Sequence, residues 1–178
     1  MKFFRCQICG DVFIGTEKPS NCPYCGSKDR YLVPAAEWTD ENLTITELSA
    51  VSRRNLEKAL QLEVDNAPFY RDASARAKTM HLQGAFKGLA KVEAEHASVV
   101  RKILKCEPPM PGPDAERAVD DDMGNLRLAH EREVEASRFY AASALEAVEP
   151  RVKKVFIALS QIEADHIMVE KELLGEPS

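Results

Sequence analysis

The chain has 178 residues, 44% of them apolar, and a net charge of -5 with acidic and basic residues interspersed. Such a length buries the core of one domain plus a small second one, and the lack of a Lys/Arg stripe argues against nucleic acid as a partner. No apolar run approaches the roughly 18 residues of a membrane span. The opening Met-Lys-Phe-Phe-Arg has no leader-like apolar stretch, so a soluble cytoplasmic protein is expected.

Residues 1 to 34 hold four of the five cysteines. Cys6-Gln-Ile-Cys9-Gly10 and Cys22-Pro-Tyr-Cys25-Gly26 are two CxxCG knuckles, with 12 residues between Cys9 and Cys22. Each two-residue gap lets the chain turn back so that both sulfurs reach one ion, and the following glycine accepts the backbone conformation the turn needs. Paired cysteines in a reducing compartment are metal ligands sooner than disulfides. A tetrahedral four-sulfur site takes zinc or a single iron. The CPxCG second knuckle, with Phe4, Phe13, Tyr24 and Tyr31 nearby, resembles rubredoxin-type domains, which hold one redox-active iron. Zinc would make the module a structural clip, and iron would make it an electron relay.

Residues 34 to 42 read as a short linker, and four helices follow over roughly 42 to 75, 78 to 105, 114 to 148 and 150 to 174. Between the second and third, Cys106-Glu-Pro-Pro-Met-Pro-Gly-Pro113 is too proline-rich for helix and must be a crossover. Pro150 suits a first helical position. Within this region the last third repeats the middle third at an offset of 70: Glu63, Glu93 and His96 recur as Glu133, Glu163 and His166, and Phe69-Tyr70 recurs as Phe139-Tyr140. The stripe Leu82, Phe86, Leu89, Glu93, His96, Val100, Ile103 lies on one helix face, and Val152, Phe156, Leu159, Glu163, His166, Glu170, Leu173 repeats it. Each ExxH places its glutamate and histidine one turn apart on that face, and each tyrosine falls two turns beyond its upstream glutamate.

Four carboxylates in an apolar stripe cost several kcal/mol each unless neutralised or ligated. Two metal ions balance them, and an oxygen-and-nitrogen shell with bridging carboxylates favours iron or manganese over zinc. Two helices giving one glutamate each and two giving an ExxH define a mainly α, ferritin-like four-helix bundle over residues 37 to 178, preceded by a small rubredoxin-like metal-binding knuckle domain over 1 to 36.

Together the two parts resemble the rubrerythrin family, in the variants called reverse rubrerythrins that lead with the rubredoxin-like module. The resemblance covers nearly the whole chain. It implies a peroxide reductase in which a carboxylate-bridged di-iron site reduces hydrogen peroxide to water. It further implies a four-cysteine iron that resupplies electrons from an external donor, a rubredoxin or an NAD(P)H-dependent reductase. Glu63, Glu93, Glu133 and Glu163 would bridge or cap the irons, His96 and His166 would be terminal ligands, and Tyr70 and Tyr140 would hydrogen-bond ligand carboxylates. An antiparallel homodimer is expected from the family, and with so short a linker a paired subunit could supply the module. A ferroxidase with a zinc clip, or a redox or iron sensor, are the competing functions.

The family's extra glutamate, one turn beyond the third-helix ligand, is here Ala136, with Asn66 as its repeat mate. Glu135 points about 100° away and substitutes poorly. Pro68, mated with Arg138, should bend the first helix. His130, mated with Leu60, lies one turn before Glu133, as a donor behind the ligands, as a substitute ligand, or as a non-ligand histidine near the surface. His81 and Cys106 carry no motif.

Overall fold

The computed structural model describes residues 1–112, 115 and 117–176. Pro113, the last proline of the predicted crossover, and Asp114, the predicted start of the third helix, lie outside them. The chain opens with three short antiparallel strands, β1 (Lys2–Cys6), β2 (Val12–Gly15) and β3 (Leu32–Pro34), in the order β2-β1-β3. Four long helices follow: α1 (Ala50–Arg76), α2 (Met80–Leu104), α3 (Asp122–Glu146) and α4 (Pro150–Leu174).

The knuckle glycines behave as the motif requires: Gly10 and Gly26 both have positive φ, at 89° and 77°. Gly26 has a second constraint, because a Cβ there would come within 3.1 Å of Ile162 Cγ2 on α4. The second knuckle therefore seats directly on the bundle.

Two helices begin later than the sequence suggested. Residues 41 to 44 form a separate 3-10 turn, and α1 starts at Ala50, where the Ser49 hydroxyl accepts from the Ser52 N–H. The third helix starts at Asp122 rather than 114. Asp121 caps it by accepting from Gly124 N–H at 2.8 Å, and the Asn125 side chain bonds both backbone groups of Val119, which fixes the preceding segment as non-helical. Pro150 opens α4 as expected, and α1 runs as helix through Pro68. The crossover is tied along α1, with Gly112 N–H donating to Asp65 at 2.6 Å and Gln61 reaching Met110 O.

α1 pairs with α2, α3 with α4, and α1 meets α3 across the middle. One buried cluster runs without interruption from Cys6, Ile8 and Leu32 of the module into Leu56, Val100, Phe156 and Ile162 of the bundle. The module thus rests on the bundle of its own chain. Polar ties reinforce this seat. Buried Arg151 donates to Gln7 O at 2.7 Å and Ile8 O at 2.8 Å, Lys102 donates to Cys9 O at 3.0 Å, and Lys28 pairs with Asp165 at 2.5 Å. Trp38, just beyond the module's expected end, donates its indole N–H to Cys6 O at 3.0 Å and stacks under Arg5.

Candidate metal centres

All four knuckle cysteines are buried, free thiols. Cys6 and Cys25 sulfurs lie 3.8 Å apart, as do those of Cys9 and Cys22. A disulfide needs about 2.05 Å. By contrast, the edge of a tetrahedron with metal–sulfur bonds of about 2.3 Å is about 3.8 Å. The four sulfurs are therefore already spaced for one ion. Their mutual contacts push Cys6 and Cys22 towards thiolate and Cys9 and Cys25 away from it. The Ile8 N–H and the Ser27 hydroxyl lie 3.3 Å and 3.2 Å from the Cys6 sulfur, a donor environment suited to thiolate charge.

In the bundle, the stripes of α2 and α4 turn their glutamates and histidines inward to meet those of α1 and α3. Glu63, Glu93, His96 and Glu163 form one group of converging ligand atoms, and Glu93, Glu133, Glu163 and His166 form another. Glu93 and Glu163 belong to both groups, so they stand between two ion positions, whereas Glu63 and Glu133 each belong to one. His96 Nδ1 lies 3.3 to 3.7 Å from Glu163, Glu93 and Glu63. His166 Nδ1 lies 2.9, 3.3 and 3.8 Å from Glu163, Glu93 and Glu133. The two imidazoles face each other with ring centres 6.0 Å apart.

The donor set fits a pair of ions by a direct count. Both oxygens of Glu93 and Glu163, one oxygen each of Glu63 and Glu133, and Nδ1 of both histidines are buried with no hydrogen-bond partner among the described residues. Eight unpaired ligand atoms, four per ion, would be costly in a fold that never bound metal. The electrostatics agree. Burial and the neighbouring glutamates push Glu93 far up, and burial raises Glu133 to about 7. Burial also acts on Glu163, yet His96 and His166 outweigh it and hold that carboxylate low. Both imidazoles are raised, the glutamates overcoming their burial.

The remaining oxygens of Glu63 and Glu133 are held by tyrosines, though not those of their own helices. Tyr70 on α1 donates to Glu133 on α3, and Tyr140 on α3 donates to Glu63 on α1. Antiparallel packing explains the exchange: moving two turns along α1 from Glu63 to Tyr70 brings the chain level with Glu133 on its neighbour. Burial makes both phenols harder to ionise, so they act as fixed donors.

The family models agree with this layout. The model described as Rubrerythrin matches residues 54–174, and that described as Rubrerythrin, rubredoxin-like domain matches residues 4–32. The chain belongs to the rubrerythrin family. It is a di-iron protein of the rubrerythrin type, with the rubredoxin-like domain ahead of the bundle. Reverse rubrerythrin-1 from Clostridium acetobutylicum is 31% identical over 114 residues, which are 58% of this chain and 62% of that relative's length. A hypothetical protein from Pyrococcus furiosus shares the fold, with a TM-score of 0.62, 21% identity and coverage of 70% of this chain and 88% of that one. Among the described residues no helix is long and apolar enough to cross a membrane.

Beyond the six bundle residues the sequence singled out, the structure adds a fifth buried carboxylate. Glu170, one turn past His166, is fully buried and accepts from Tyr70 at 2.9 Å, so one phenol serves both Glu133 and Glu170. Burial, with Glu133 adding to it, pushes Glu170 up to about 9. The signal was available in the repeat, since Val100 occupies the matching position. His130 sits beside it, partly exposed. Ala136 is buried, Glu135 is exposed, and Glu135 takes no part in the site. His81 and Cys106 lie on the surface.

Proposed function

We propose that this protein is a peroxide reductase: the bundle holds two irons between Glu63, Glu93, His96, Glu133, Glu163 and His166, and the four-cysteine site holds a third iron that feeds them electrons. The observation that carries this reading is one hydrogen bond. His96 Nε2 lies 3.0 Å from the Cys25 carbonyl. A carbonyl only accepts, so Nε2 carries the hydrogen and Nδ1 presents its lone pair to the carboxylates. This single contact fixes the tautomer a metal ligand needs and joins the two sites through one residue of each. An iron-storage or ferroxidase role has no use for such a connection.

When bound, the paired irons supply the two electrons that, with two protons, convert hydrogen peroxide to two molecules of water. The protein's part is to hold and orient. Glu93 and Glu163 span both positions, while Glu63 and Glu133 each serve one. Tyr70 and Tyr140 occupy the outer oxygens of Glu133 and Glu63, leaving a single free oxygen on each. Phe86 packs against Tyr70 and Phe156 against Tyr140, and all four rings are fully buried. The external donor is a small redox protein or reductase that reaches the exposed side of the module, and the oligomer is a homodimer.

Two measurements test the assignment. Purified protein should be red, with visible bands that bleach on reduction, because of the four-sulfur iron. A colourless, zinc-filled module would remove the relay. On stopped-flow mixing, reduced protein should be reoxidised much faster by hydrogen peroxide than by dioxygen. Comparable rates, or faster reaction with dioxygen, would point to the ferroxidase instead.

A further inference from the structure

The carboxylate of Glu170 is fully buried, and its second oxygen has no hydrogen-bond partner among the described residues. Facing it is His130 Nδ1, also unpaired, at 3.8 Å. That separation is too long for a hydrogen bond, whose heavy atoms lie about 2.7 to 3.2 Å apart. It suits two ligands of one ion, since donors bound at about 2.0 to 2.2 Å lie about 3 to 4 Å apart across the metal. The same spacing separates His96 Nδ1 from the unpaired oxygens of Glu63, at 3.7 Å, and Glu93, at 3.6 Å, within the paired site. The position also has an outer and an inner side. The His130 side chain is 26% exposed while that of Glu170 is 0% exposed, and Tyr70 links Glu170 to Glu133. In the other half of the repeat the two places are taken by Leu60 and Val100, both buried and apolar.

We propose that Glu170 and His130 form a third cation position in the bundle, a landing site from which a divalent ion passes inward to the His166 half of the pair. One imidazole nitrogen, one carboxylate oxygen and water make a borderline-to-hard shell, suited to iron(II) or manganese(II). Two protein ligands bind weakly enough to release the ion onward. The proposal rests on the paired-metal reading above, and the test separates the two.

Crystals of the full chain soaked in manganese(II) should show three anomalous peaks in the bundle. Two should lie among the six paired ligands, and one within bonding distance of Glu170 and His130. Glu170→Gln, which keeps the shape, and His130→Leu, which copies the repeat mate, should each lose the third peak and keep the pair. In solution both variants should fill the pair with iron(II) more slowly, on the order of tenfold, the scale on which outer partners influence metal binding. Full occupancy of the pair with no third peak, a third peak that survives Glu170→Gln, or equal filling rates in all three proteins would overturn the landing site alone. Failure to find manganese at any of the three positions would overturn the paired-metal reading as well.

Discussion

The His96 half and the His166 half of the bundle present the same donors, yet they differ in what stands behind those donors. Behind His96 lies the module, with the Cys25 carbonyl on the imidazole and Leu60 and Val100 closing the helix faces. Behind His166 lie Glu170 and His130, a buried carboxylate beside a partly exposed histidine. A duplicated helical hairpin thus keeps its inner shell under strict two-fold constraint, because both ions need the same ligands. One turn away the two copies are free to specialise.

The largest expected effect breaks the symmetry of the inner shell. Glu93→Ala or Glu163→Ala should remove most of the bundle's metal, because each glutamate faces both positions. Glu63→Ala or Glu133→Ala should remove about half, with the four-sulfur metal unchanged in all four variants. Elemental analysis scaled to that internal standard checks this, and equal losses in the two classes would contradict the shared placement of Glu93 and Glu163.

Next in size is a pH effect on protein stripped of bundle metal. Glu170, raised to about 9, and Glu133, raised to about 7, keep protons that the unfolded chain releases near 4.5. Each therefore costs stability as pH climbs from the unfolded to the folded value, by up to about 1.4 kcal/mol per pH unit. His96 and His166, raised when folded, contribute stability that is complete below about 6.5 and is lost at higher pH, in the same direction. Glu163, held low, acts oppositely but only below about 4.5. The melting temperature of the stripped protein should fall between pH 5 and 9, and Glu170→Gln should flatten that fall. A melting temperature rising over this range would refute it.

A smaller effect should come from the module's seat. Arg151 has no counterpart in the first hairpin, where its repeat mate is the exposed His81. Arg151→Met leaves Gln7 O and Ile8 O without their cationic donor and should cost about 2 to 3 kcal/mol in denaturant unfolding. His81→Met should cost almost nothing. Smallest is the contrast between the tyrosines. Tyr70 serves two carboxylates and Tyr140 serves one, so in the metal-loaded protein Tyr70→Phe should destabilise more than Tyr140→Phe, by about 1 kcal/mol. Equal losses would mean that Glu170 gains little from Tyr70.

Much of this organisation could be read from the chain. A fixed 70-residue offset survives only if both copies meet the same geometric demand, so the six bundle residues stood out before any coordinates, and the structure brings them together. The knuckle spacing and its glycines were legible for a similar reason, since few backbone paths put two sulfurs on one ion. The partners of Tyr70 and Tyr140 were not legible, because periodicity along one helix does not report which neighbour lies level with it. Glu170 was hidden by the opposite problem: in a search for what repeats, a residue that fails to repeat looks like a lapse in the stripe. Trp38, Arg151 and Lys102 act on the module's carbonyls from far along the chain, and no local pattern announces them. The helix starts at 50 and 122 depended on capping side chains, Ser49 and Asp121, that compete with several neighbours of similar propensity.

The close seat of Gly26 against Ile162 has a meaning for wiring as well as for packing. With a Cβ at residue 26 only 3.1 Å from Ile162, even one methyl group would act as a shim under the second knuckle. The carbonyl on which it pushes is the neighbouring one, that of Cys25, and the gap it opens would lie in the link to His96. With the four-sulfur iron feeding the bundle as proposed above, a side chain at residue 26 would strain the positive-φ turn of the cysteine site and, by stretching the link from Cys25 to His96, slow the transfer between the two centres.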